Sequence, residues 1–120
     1  MSAAARRKPP ATRRGITAKL ELAGVNVYTT LNRDAEGHPC DLFITLNNES
    51  QEAPIDPGHQ AWANLAATLA SICMQHHASL ETVAAKFRGY AFEPAGHLGR
   101  GNAKSIPDAI GRWLDEQATS

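Results

Sequence analysis

The sequence predicts an α+β domain: a three-stranded antiparallel meander followed by three helices packed on one face. Three observations carry this. Apolar and polar residues alternate between residues 16 and 46, and from residue 57 onward apolar residues recur at helical spacing instead. The connections between the alternating runs are short, which makes neighbouring strands antiparallel.

The elements follow in order. Residues 1–14 are rich in Ala, Pro and Arg and hold no large apolar group beyond Met1, so composition assigns them to a disordered basic arm, with a single domain over 15–120. Ile16, Ala18, Leu20 and Leu22 alternate with Thr17, Lys19 and Glu21 as a half-buried strand. Ala23-Gly24 turns the chain, and Val25, Val27, Thr29 and Leu31 form one face of a second strand. The stretch NRDAEGHP is a turn, with Asp34 and Gly37 supplying its chemistry. Leu42, Ile44 and Leu46 mark the third strand. A polar loop then ends in Asp56-Pro57, a helix start. Trp62, Leu65, Leu69, Ile72, Cys73 and His76 recur at helical spacing and are expected as the core stripe of the first helix. Ser79 caps a shorter helix with Leu80, Val83, Ala84 and Phe87 on one side, and Arg88-Gly89 stops it. Residues 90–103 read as an irregular connection with a brief extended piece at Tyr90 to Phe92. The last helix places Ile106, Ile110, Trp113 and Leu114 on one stripe.

A chain of 120 residues is large enough for one core without staples. No apolar stretch is long enough to span a membrane, and the basic N-terminus lacks the apolar region of a secretory signal. Cys40 and Cys73 form no CxxC pair, which makes a reducing cytoplasm the expected compartment. The net charge of zero hides an asymmetry: residues 1–20 carry six cations and no acid, while the other hundred carry six cations and twelve acids. Arg6, Arg7, Lys8, Arg13 and Arg14 are therefore candidates for contact with phosphate, nucleic acid or an acidic surface.

Candidate chemistry is sparse. In AKSIPDAIGRWL, Ser105 and Asp108 have capping-box spacing, so the motif is expected to start a helix, and Ser105→Ala to lower stability by about 1 kcal/mol. Gly96, Gly99 and Gly101 with Arg100, Lys104 and Ser105 lead into that helix start and could hold a phosphate. They depart from a Walker A loop, because Asn102 and Ala103 separate the last glycine from the lysine. His38-Pro39-Cys40 and His76-His77 match no zinc pattern. Cys73 reads as a small core residue, and neither cysteine has a base partner. Tyr28 and Phe43, on the polar faces of their strands, are candidates to stack on bases or to pack against a partner.

Several blocks in combination resemble a known family. RRGITAKLELAG, VYTTLNRDAEGHPCDLFITL, LAATLASICMQHHASLETVAAKFRGYAFEPAGHLG and AKSIPDAIGRWL are similar, from about Arg6 to Leu114, to the C-terminal TSCPD domain of adenosylcobalamin-dependent (class II) ribonucleotide reductases. The family's Thr-Ser-Cys-Pro-Asp pentad stands here as Lys104, Ser105, Ile106, Pro107 and Asp108, without Thr and Cys. The resemblance implies ancestry and fold, and it does not transfer the barrel, the cobalamin site or the radical cysteine. The expected function is that of a non-catalytic, stand-alone accessory or regulatory binding module, with no cofactor and no metal. Its candidate partners are a ribonucleotide reductase or another protein, and a second copy in a homodimer. The alternatives are a DNA- or RNA-binding protein using the arm, and a trans-acting part of a ribonucleoside-diphosphate reductase.

Overall fold

The structure, a computed structural model, describes residues 5–22, 24–48, 57–90, 96–97, 102–103 and 105–119. Three strands, β1 (Arg14–Leu22), β2 (Val25–Arg33) and β3 (Pro39–Asn48), form an antiparallel sheet in the order β1-β2-β3. Helices α1 (Pro57–Gln75) and α2 (Leu80–Phe87) follow. A two-residue pair, β4 (Gly96–His97) and β5 (Asn102–Ala103), precedes the last helix, α3 (Ile106–Ala118). This short antiparallel pair falls inside the connection expected to be irregular. Two-residue strands lie below the length at which alternation can signal them. The extended piece expected at Tyr90 to Phe92 lies, beyond Tyr90, outside the described residues, as does the helix-capping Asp56.

Register follows from the alternating pattern. Leu20, Val27 and Leu46 stand in one row across the sheet, Ala18, Thr29 and Ile44 in the next, and Ile16, Leu31 and Leu42 in a third. Gly24 makes the β1–β2 turn possible with φ 82°, which a side chain would resist. In the β2–β3 turn, Asp34 accepts from the backbone N–H of Glu36 (3.0 Å) and of His38 (2.9 Å). Those bonds and the neighbouring His38 ring hold the Asp34 carboxyl below its usual range, although burial works in the opposite direction.

One sheet face meets the helices. Leu22, Val27, Leu31, Leu42, Ile44 and Leu46 share a core with Met74, Val83, Phe87, Ile110, Trp113 and Leu114. The α2 and α3 stripes are buried as their spacing predicts. Helix α1 is different. It runs along β3, at the sheet edge, and bonds to the strand's outward-pointing backbone groups. Gln60 donates to Ile44 C=O (3.1 Å) and accepts from Leu46 N–H (2.9 Å). Ser71 accepts from Leu42 N–H (2.9 Å), and Gln75 donates to Cys40 C=O (2.9 Å). The fifteen helical steps from Gln60 to Gln75 span about 22 Å, and the six strand steps from Cys40 to Leu46 span about 20 Å. Helix and strand therefore stay in step along the whole contact. The edge that would otherwise invite another strand is closed by side chains.

Candidate functional site

That edge contact decides which face of α1 is buried. Ala63, Ala67, Ala70 and Met74 line the interior, while Leu65, Leu69 and Ile72 are 60%, 54% and 42% exposed, and Cys73 is exposed as well. The expected core stripe is thus corrected: most of it faces outward. A helix close enough for Gln60, Ser71 and Gln75 to reach strand backbone leaves room only for small side chains along most of the contact. Ala63, Ala67, Ala70 and Met74 have the same i, i+4, i+7, i+11 spacing as an ordinary stripe. The signal was in the sequence but was overshadowed by the larger residues opposite.

The outward residues adjoin a groove of about 490 Å³ between α1 and the end of α2, lined by Trp62, Ala66, Leu69, Cys73, Phe87 and Tyr90. Its wall is almost wholly apolar, with Lys86 the one lysine or arginine bordering it among the described residues. Trp62 is fixed at one end, its Nε1–H donating to His59 Nδ1 at 3.0 Å. Such a surface suits an apolar partner better than a polar substrate.

The basic arm lies against the other end of α1. Residues 5–13, which composition assigns to disorder, hold to the body through guanidinium groups. Arg6 Nε donates to Gln75 Oε1 (2.7 Å), and Arg7 donates from its backbone N–H to Gln75 C=O (2.8 Å) and from Nη2 to Met74 C=O (3.2 Å). Cations at a helix C-terminus are favourable. Arg13 Nε pairs with Asp41 at 3.0 Å, while Lys8 and Arg14 are exposed. The helix end is shaped for this. His77 sits in the left-handed region (φ 74°) as the C′ residue of a Schellman turn, with His77 N–H to Met74 C=O at 3.1 Å and Ala78 N–H to Cys73 C=O at 2.9 Å. Glycine is usual there, but His77 uses its ring. Nδ1 lies 2.9 Å from the Arg7 guanidinium and Nε2 lies 2.8 Å from Ala5 C=O. A guanidinium only donates and a carbonyl only accepts, so Nε2 carries the proton.

At the start of α3, Ser105 is fully buried and accepts from Asp108 N–H at 3.1 Å, as the capping spacing predicts. It also donates to Tyr90 C=O. Asp108, 2% exposed, accepts from Gly89 N–H (2.9 Å) and Arg112 Nε (3.0 Å). Arg100 and Lys104, with Gly99 and Gly101, lie outside the described residues.

The remaining candidates separate. Among the described residues no three His, Cys, Asp or Glu side chains gather in a metal-ligating group. The Cys40 thiol is buried, and burial together with the Asp41 carboxylate pushes its pKa up, which opposes thiolate chemistry. Tyr28 and Phe43 lie on the sheet face away from the helices, Phe43 54% exposed. No helix among the described residues is long and apolar enough to cross a membrane.

Comparison with known proteins finds a family and a relative. The model of the TSCPD domain family matches residues 3–118. The chain is 33% identical over 112 residues to the vitamin B12-dependent ribonucleotide reductase of Rhodopirellula baltica. The match covers 91% of this chain but 10% of that protein, so the chain spans about a tenth of the relative's length. No solved structure matches significantly. Of the family's pentad, this sequence keeps Ser105, Pro107 and Asp108, and two of these are the buried groups that join α2 to α3. With the family model matching nearly its whole length, the chain belongs to the TSCPD domain family.

Proposed function

We propose that this chain is an accessory or regulatory binding module linked to ribonucleotide reduction, working in the cytoplasm, and that it contributes contacts rather than catalysis. The observation that carries the reading is the reversed polarity of α1: its large aliphatic residues face outward beside an apolar groove. A helix in an ordinary soluble domain turns such residues inward. The partner chemistry that fits is another apolar protein surface. The reductase named by the relative is the first partner to test.

Mixing the purified chain with a vitamin B12-dependent ribonucleotide reductase is expected to give a complex at micromolar concentration by analytical ultracentrifugation, with altered turnover. Leu69→Glu is expected to abolish both while leaving the melting temperature unchanged. No complex at about 100 μM would overturn the reading. The nucleic-acid alternative has less support, because Arg6, Arg7 and Arg13 are hydrogen-bonded within the molecule. It requires affinity that falls steeply with salt and that disappears on deleting residues 1–14.

A further inference from the structure

We infer that the outer face of α1 is a self-complementary seam, and that its occupant is α1 of a second copy, docked antiparallel. This rests on the reading that the face is a contact surface and names what covers it.

The spacing is the first argument. Trp62, Leu65, Leu69, Ile72 and His76 follow one another at 3, 4, 3 and 4 residues, the a/d repeat of a helix that packs its knobs against another helix. Leu65, Leu69, Ile72 and His76 lie on the side of α1 opposite Ala63, Ala67, Ala70 and Met74 and are exposed among the described residues, while Trp62, at one end of the row, is half-buried against the core. The second argument is symmetry. The seam is balanced about Leu69. When two copies run antiparallel across a two-fold axis at Leu69, Leu65 meets Ile72 of the second copy, and Trp62 meets His76. Aliphatic groups then fill the centre and a ring pair closes each end. An isologous contact needs this kind of self-complementarity.

Charge is the third argument. From Pro57 to Gln75 there is no Asp, Glu, Lys or Arg, so two copies of this face do not repel. A surface awaiting a charged partner would be expected to carry the complement. The antiparallel arrangement also opposes the two helix dipoles. Lys86 is carried by α2, to the side of the seam. The residues flanking it toward the groove are Ala66 and Cys73, small enough for close approach. Only one helix face makes the contact, so a weak dimer is expected, dissociating at about 10–100 μM.

Sedimentation equilibrium of the full chain between about 1 and 500 μM tests this, and the expected result is a mass rising from 12.9 kDa toward twice that value. Leu69→Glu, which sets two carboxylates on the axis, is expected to weaken dimerisation at least about tenfold with unchanged circular dichroism and melting. Leu65→Glu is the second variant should the first fail to fold. Orientation is read by oxidation in a Cys73→Ser background. A mixture of Leu65→Cys and Ile72→Cys chains is expected to crosslink faster than either variant alone, and the reverse order overturns the antiparallel assignment. A mass that stays at 12.9 kDa, or a dimer indifferent to both charge substitutions, overturns the inference. If the monomer still binds the reductase through Leu69, the contact-surface reading stands and only the second copy is ruled out; if it binds neither, both fall.

Discussion

Helices α2 and α3 begin alike in sequence and unlike in the molecule. Each opens on a serine whose hydroxyl accepts the backbone N–H three residues on, at 3.1 Å in both cases. Ser79 is exposed, and water can replace what its hydroxyl does. Ser105 is fully buried and bonded on its other side to Tyr90, and Asp108 beside it reaches Gly89 at the end of α2. One cap serves its own helix, while the other is a joint between two helices. The comparison shows that a capping motif's energetic weight is set by its surroundings, because a polar group stripped of its partner is costly only where water cannot reach it.

The largest break is expected from Asp108→Ala. It removes the acceptor for Gly89 N–H and the partner of Arg112 from a nearly closed site. Hydrogen bonds to a charged group contribute about 1.5–3 kcal/mol each, and Arg112 is partly solvated, so a loss of about 3 kcal/mol is expected by urea denaturation. Asp108→Asn should retain part of this. A loss below about 1 kcal/mol for Asp108→Ala would show that the joint is no stronger than the exposed cap.

Next comes the closeness of the two helices. A Cβ on Gly111 would stand 2.9 Å from both Ala84 O and Arg88 N, which are backbone atoms and cannot swing aside. Forcing the helices apart costs about 1–3 kcal/mol, against a helix-propensity gain of about 1 kcal/mol for alanine over glycine. Gly111→Ala is therefore expected to destabilise by about 1–2 kcal/mol, and a stabilised variant would mean that α2 and α3 pack more loosely than described. Ser105→Ala is expected to cost about 2 kcal/mol, because the lost cap is joined by an unpaired Tyr90 carbonyl. The sequence, which shows the cap and not the carbonyl, supports only about 1.

What could be read from the sequence divides along the same line. Alternation marked the three strands, and the register then places Leu20, Val27 and Leu46 in one row on the buried face. The caps at Ser79 and Ser105 were legible because a cap is local chemistry between residues three apart. The buried face of α1 was not legible. Helical spacing reports two candidate stripes, and the choice between them was made by the edge of β3, which no local window contains. The arm's contacts were out of reach for a related reason: composition shows that residues 5–13 cannot form a core, but not that the end of α1 offers carbonyls to Arg7. The exposed aliphatic face therefore belongs to the one helix whose sequence reading had to be reversed.

The smallest expected effect, Ser79→Ala, is the control on which the comparison depends. Its hydroxyl caps Thr82 N–H at 3.1 Å and shares a 2.8 Å hydrogen bond with the Thr82 hydroxyl, both on the exposed side of α2. Removing it leaves an N–H that water can satisfy, so the expected loss is about 0.5–1 kcal/mol, in the range of exposed caps. Measured in the same urea series, it should fall clearly below Ser105→Ala with an unchanged dependence on denaturant. Equal losses at the two serines would mean that burial adds nothing at Ser105 and that α3 is attached to α2 by its apolar stripe alone. The bonds of Asp108 to Gly89 and Arg112 would then be a consequence of that packing rather than part of what holds it.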